Sequence, residues 1–373
     1  AEIMAMLAGH SPATTAPNGA LDGLRRELAA IPGGHEAITD RSHDPIGAAR
    51  VLDADLAARI GGWLDEHGWA IINYDAGIPV LAERPPTISR LLAVPPSATK
   101  EASAAPHERV AADELADRAR AALSAERRVE FDSLLDEARA VYGVREDNTI
   151  IIGDRPFALL RRWMLEAAAR LANRGTLDSV ADGAYLTVDE LSAALTGSST
   201  ELGDAVRRRR GEEAWVRANP GPLFVGGQGS PPDVSHLPAP LREVNEPILW
   251  MISHEYPTPS EPPTDVDVLV TGVPAAAGVS EGPARVIRSQ ADLHLLQPGE
   301  VLVCQVTSPA WAPLFSLASA VVADGGGVLS HAAIAAREAG IPAVLGTGDA
   351  TTQLVDGQNV RVDGASGLVT ATN

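Results

Sequence analysis

Apolar residues recur along this chain with two different periods, and the change from one to the other divides it. Across 21–215 the spacing is three and four residues, which predicts helices. The strongest case is 155–174, where Phe157, Leu160, Met164, Ala168 and Leu171 line one face, Pro156 suits the first turn and Gly175 the stop. A second stretch, 111–142, repeats Leu115, Ala119, Leu123, Leu134, Ala138 and Val141 among charges, and Thr187 with Glu190 makes a capping box before Leu191. After about Asp265 the apolar residues fall into short β-branched runs at 266–271, 284–288, 301–306, 320–323, 343–345, 359–362 and 368–370. Turn pairs such as Pro298-Gly299 and Asp363-Gly364 separate these runs, and one helix, 332–339, interrupts them. The expected fold is α/β and multidomain: a mainly helical domain over 1–218, a Pro/Gly-rich linker over 219–264 and a compact α/β domain over 265–373.

Charge and composition narrow the function. With 30 Lys+Arg against 49 Asp+Glu, the 373-residue chain carries a net charge of −19, which repels phosphate backbones and anionic lipid. The one basic run is Arg207 to Arg210, so neither nucleic acid nor a membrane is an expected partner. Lys100 is the only lysine, which argues against a P-loop, a Schiff-base enzyme or an independent ATP site. Cys304 is the only cysteine, which excludes a disulfide framework and a Cys-rich zinc site; no metal is expected on this chain, and the cytoplasm is the expected compartment.

The stretch 324–342, DGGGVLSHAAIAAREAGIP, carries the clearest chemistry. A strand ends before it, Gly325, Gly326 and Gly327 permit backbone conformations closed to other residues, Ser330 can cap a helix, and His331 then occupies the first turn. An imidazole there sits at the positive end of a helix. The unsatisfied amides, with those of the glycines, favour an anion such as a phosphoryl group carried on the ring, and Arg337 lies nearly two turns on, where it could add charge.

This segment resembles the swivelling phosphohistidine domain of the phosphoenolpyruvate-utilising enzymes. The resemblance runs through GVPAAAG at 272–278, EGPA at 281–284, LQPGEVL at 296–302, TSPAWAP at 307–313, the glycine-histidine stretch and Asp363-Gly364. It implies a β/β/α phosphohistidine domain in which His331 takes a phosphoryl group from ATP and passes it on. Thr307 and Trp311 match the loop this family sets beside the histidine, where a hydroxyl could orient the ring; loop packing is the alternative. Some dikinases carry a regulated threonine two residues before the histidine, and here that position is Leu329. Only 42 residues follow His331, against about 250 for a phosphoenolpyruvate-binding barrel, so phosphoenolpyruvate is not the expected substrate. The domain order instead resembles rifampin phosphotransferase-like enzymes without their ATP-grasp domain.

LDEHGW at 64–69, Tyr74-Asp75 and VREDN at 144–148 resemble the substrate-domain motifs of these enzymes, which nominates His67, Trp69, Tyr74, Asp75, Arg145 and Glu146 for a substrate pocket. Each has a plain alternative: His67 ends a helix beside Gly68, and Arg145 with Glu146 forms a structural ion pair. Trp63, Trp69 and Tyr74 together favour a partly apolar ligand over a sugar phosphate, with core packing as an equal alternative.

The resemblance implies the acceptor and phosphocarrier portion of an ATP-dependent phosphotransferase of biosynthesis or antibiotic modification. An ATP-grasp domain or subunit would bind ATP and Mg2+, and a small molecule would accept the phosphoryl group. A ligase-like enzyme that activates its substrate before condensation or elimination, and a non-catalytic binding module, stay open as alternatives. If His331 travels between two sites, its domain should not be held to the helical half by a large apolar interface. The Pro-rich segment 257–263 should then act as a semi-rigid arm, with Tyr256 and Thr264 absorbing the rotation.

Overall fold

The computed structural model describes residues 5–7, 10, 12–71, 75–94, 104–144, 148–197, 202–219, 221, 233–255, 267–288, 290–308 and 311–372. Helices come first: α1 (Pro12–Ala30), α2 (Gly34–Asp40), α3 (Pro45–Leu52), α4 (Ala54–His67), α5 (Pro85–Leu92), α6 (Ala104–Ala121), α7 (Ala125–Tyr142), α8 (Arg155–Asn173), α9 (Val188–Leu195) and α10 (Gly203–Ala218). Side-chain caps set several of their starts. Asp44 accepts from the Gly47 amide at α3, Asp53 accepts from Asp55 and Leu56 at α4, and the capping box of Thr187 and Glu190 closes reciprocally at α9. Gly175, at φ 73°, ends α8 in the conformation that favours glycine.

Two helical expectations are corrected. The stretch 111–142 is two helices, because Ser124 caps a new start by accepting from Arg127. Ala112, Ala116 and Leu135 are its buried residues, while Leu134 and Val141 are exposed. In α8 the buried face runs through Ala158, Arg161, Met164, Ala167, Ala168 and Leu171, and Leu160 points outward. The face is turned because Arg161 is buried through strong partners, described below, and the alanines allow close approach. Within the expected linker 219–264, residues Ala239–Glu255 form a further helix, α11, with Pro240 in its first turn, where a missing N–H costs nothing. The arm 257–263, Tyr256 and Thr264 lie outside the described residues.

The C-terminal strands are β1 (Val268–Thr271), β2 (Val273–Ala276), β3 (Val279–Ile287), β4 (Val301–Cys304), β5 (Ala320–Ala323), β6 (Ala343–Leu345), β7 (Asn359–Asp363) and β8 (Leu368–Ala371). Three short helices join them: α12 (Ala312–Phe315), α13 (His331–Glu338) and α14 (Ala350–Gln353). They form one sheet in the order β1-β8-β7-β3-β4-β5-β6-β2, with β3 to β6 parallel and antiparallel pairs outside them. Strands β1 and β2 stand at opposite ends of that order, yet only Gly272 separates them in the chain. The sheet must therefore curl until its ends meet. At the meeting point a Cβ on Gly364 would lie 1.9 Å from the Ala276 carbonyl oxygen, and one on Gly367 would lie 2.2 Å from that of Gly272.

Residues of β4 and β5 are buried on both faces, as in a parallel sheet covered on both sides. One face carries Val286, Val301, Val303, Val322, Val360 and Val362. The other carries Leu302, Cys304, Val321 and Ala323, and its core is continuous with Leu21, Leu28, Ile38, Ile60, Leu91 and Leu92 of α1 to α5. This overturns the expectation that no large apolar interface holds the histidine domain to the helical half. Polar bonds cross the same boundary. Arg25, with no exposed surface, donates from Nε to the Leu91 carbonyl at 2.7 Å and from its guanidinium to Ser316 Oγ at 3.3 Å. Arg90 donates to the His294 carbonyl, and Ser308 Oγ to the Ile71 carbonyl. Burial lowers the Arg25 pKa, which the Asp22 carboxylate partly offsets.

Helices α8 to α10 build a separate core from Met164, Ala168, Leu171, Leu191, Leu202 and Val206. The basic run belongs to this unit and is neutralised within it, Arg207 by Asp204, Arg208 by Glu212, Arg209 by Glu190 and Arg210 by Asp182.

Closure of the sheet makes a direct prediction. Gly367 combines a φ of 76° with a backbone oxygen where its Cβ would stand, so Gly367→Ala should cost about 2–4 kcal/mol through strain and crowding together. Urea unfolding measures this; an unchanged midpoint would show that the two ends of the sheet do not need to touch.

Candidate active site

Asp324 follows strand β5, and its buried carboxylate accepts from the Thr351 amide at 3.0 Å, from the Thr351 hydroxyl and from Thr347 Oγ1 at 3.3 Å. These bonds fix the start of the glycine turn. The Gly325 amide donates to the Gln305 carbonyl and the Gly346 amide to the Gly325 carbonyl, so the turn is tied to a loop on each side. Gly326 adopts φ 100°, the region that favours glycine, and Gly327 accepts from the Ser330 amide.

The turn delivers the chain into α13 with Ser330 as its N-cap, its hydroxyl accepting from Ala333 at 3.4 Å. His331 is the first residue of the helix and is half-buried, with Nε2 shielded from solvent. Behind it Ala332, Ala333, Ala335 and Ala336 are buried, small enough for the helix to lie close against the sheet. The imidazole thus stands where free backbone amides and the helix dipole favour negative charge.

Arg337 is placed differently from a ligand reaching freely toward phosphate. It donates to the Ala275 carbonyl at 2.7 Å and to the Val328 carbonyl at 2.8 Å, which braces the loop before His331 against β2. Trp311 is buried in the shared core. The Thr307 hydroxyl oxygen is shielded from solvent and makes no hydrogen bond among the described residues, on a loop whose Gln305 and Val306 lie against Gly325.

Among the residues nominated in the helical half, Trp69 lines a cleft of about 840 Å³. His67 does not line it: it closes α4 beside Gly68, with its ring 5.8 Å from that of Trp63. Asp75 accepts from the Gly77 amide and shapes a turn. Trp63 is a core residue that donates to the Pro17 carbonyl. Tyr74, Arg145 and Glu146 lie outside the described residues.

The cleft has one wall from the end of α4 and the following loop, with Leu64, Trp69 and Glu83, and one from α8, with Arg161, Arg162 and Trp163. Arg161 spans it. Its guanidinium donates to both Glu83 oxygens, at 2.5 and 3.0 Å, and to the Ala76 and Gly77 carbonyls. Sequence reasoning passed over Glu83 and Arg161, whose partnership spans 78 residues. An arginine on the buried face of α8 was the one available signal. Among the described residues no group of three His, Cys, Asp or Glu is placed to hold a metal ion, and no helix is long and apolar enough to cross a membrane.

Comparison with known proteins bears on this geometry. Residues 296–367 match the mobile domain of the PEP-utilising enzymes. A rifampicin phosphotransferase of Streptomyces sviceus is 30% identical over 357 residues, covering 93% of this chain and 36% of that protein. An uncharacterized phosphotransferase, YvkC, of Bacillus subtilis is 33% identical over 230 residues, covering 62% and 26%. A phosphoenolpyruvate synthase of Aeropyrum pernix is 48% identical over 116 residues, covering 31% and 14%. The chain therefore spans about a third or less of the length of each of these relatives.

Burial sets a pH dependence beside the cleft. The His67 pKa is lowered from 6.5, chiefly by desolvation, with Glu66 opposing. The folded chain then binds fewer protons than the unfolded one just below that value, so the contribution is complete above about pH 6.5 and is lost as pH falls through the lowered pKa. His35 is shifted in the same direction, again chiefly by burial. Stability should fall as pH drops below 6.5, and less steeply for His67→Gln; equal slopes in urea titrations at several pH values would refute the assignment.

Proposed function

We propose that this chain, whose residues 296–367 belong to the mobile-domain family of PEP-utilising enzymes, is the acceptor and phosphocarrier portion of an ATP-dependent phosphotransferase of the dikinase type. His331 takes a phosphoryl group on a ring nitrogen and yields it to a hydroxyl or similar group of a small molecule. The observation that carries this reading is the position of His331, first in a helix capped by Ser330 and entered through the tethered turn Gly325 to Gly327. Phosphoryl transfer draws mainly on positioning and charge neutralisation, and a pre-formed set of backbone amides supplies both without reorganisation. The shielded Thr307 hydroxyl is a further donor for the ring or its phosphate, and Arg337 acts by holding the loop in place.

ATP is bound by an ATP-grasp domain or subunit, which also supplies Mg2+; a single lysine gives this chain little to grip ATP phosphates. The acceptor sits in the cleft beside Trp69 and Trp163, whose aromatic and aliphatic surface suits a partly apolar molecule. The similarity to a rifampicin phosphotransferase over 93% of the chain supports a phosphotransferase reading.

Incubated with an ATP-grasp component and radiolabelled ATP, the chain should acquire acid-labile, base-stable label that is absent from His331→Ala. Label retained by His331→Ala would overturn the reading.

A further inference from the structure

The two apolar cores divide the molecule in a way the chain order does not suggest. Helices α1 to α5 share one continuous core with the sheet that carries His331, through Leu28, Ile60 and Leu92 on one side and Leu302, Phe315 and Val321 on the other. Helices α8 to α10 have their own core. Among the described residues contact between the two is thin: Ile71, Val80 and Ala158 are its buried apolar residues, with Trp69 and Phe157 packed against them. The cleft runs along this seam, and its walls belong to different cores.

We propose that the molecule moves as two bodies that part through the cleft, with residues 12–94 travelling together with the His331 domain, and with Arg161 as the latch. A buried Arg25, bonded at all three guanidinium nitrogens, ties α1 to the His331 domain, whereas among the described residues Arg161, with the carboxylate and two carbonyls it grips, spans the seam. Parting at the seam uncovers few apolar residues. Parting α1 to α5 from the sheet uncovers a core. Movement of the phosphocarrier therefore opens and closes the ligand cleft, because Trp69 and Glu83 move with His331 while Arg161 and Trp163 stay behind. Calling the moving body a phosphocarrier rests on the function proposed above; the division into bodies rests on packing alone.

Pairs of nitroxide labels read this directly in the unphosphorylated full chain, since Cys304 is buried and stays unlabelled. Ala29→Cys with Val355→Cys spans the first body, and Ser192→Cys with Val355→Cys spans the seam; all three positions are exposed. The first pair should give one narrow distance distribution that Arg161→Met leaves unchanged, while the second should broaden or shift to longer distance in that variant. Should Arg161→Met fold poorly, Glu83→Gln weakens the same latch and should move the second pair in the same direction. Broadening of the first pair, or a second pair unmoved by both substitutions, would overturn the proposal. A negative histidine-labelling result would leave these distances as they are, so the two failures are distinguishable.

Discussion

The structure depends on one packing constraint: among the described residues, the core that α1 to α5 build is continuous with the one under the sheet that carries His331. Helices of seven or eight residues, such as α2, α3 and α5, do not persist in water alone. They persist here because Leu21, Ile38, Ile60 and Leu91 are buried in one apolar cluster, which reaches the face formed by Leu302 and Val321 by way of α12 and α13. Each such side chain is worth roughly 1.5–3 kcal/mol when fully buried, so stripping this layer away would consume most of the 5–15 kcal/mol that typically holds a domain together. Arg25 belongs to the same constraint. Its charge is tolerable because the Leu91 carbonyl, Asp22 and Ser316 each bond one of its nitrogens, and those partners are in place only when α1, α5 and the end of α12 meet.

Placement of the histidine follows from that layer. The sheet holds β4 and β5 in parallel register, which sets Gln305 opposite Gly325 and so fixes the turn that feeds α13. Alanines let α13 lie close to the sheet. The result is a histidine in the first turn of a helix, entered through a turn that Asp324 and Arg337 hold in place, the pre-organised arrangement phosphoryl transfer calls for.

Much of this was legible in the sequence, for reasons of range. The β-branched runs, Ser330, the glycine turn and the box of Thr187 and Glu190 act over a few residues, and local chemistry determines them. Strand β2 was missed because a Val-Pro-Ala-Ala segment has weak strand character and pairs only as an edge against β6. The stripe on α8 holds at Met164, Ala168 and Leu171 but differs in the first turns, where Ala158 and Arg161 are buried, because Arg161 looks like a surface residue until Glu83 is brought to it. The helix inside the expected linker went unseen because the prolines around it dominate the composition. The shared core could not be read at all: helical periodicity says that a face is buried, and says nothing of which partner covers it.

Native-state hydrogen exchange in dilute denaturant tests the shared core most directly, because amides that open in one cooperative event report one packed unit. Amides of α1 around Leu21 to Leu28 should open together with those of β4 and β5, at one free energy and with one denaturant dependence, while those of α8 around Met164 to Leu171 follow a separate course. Free exchange of α1 under conditions where β4 and β5 stay protected would contradict the account.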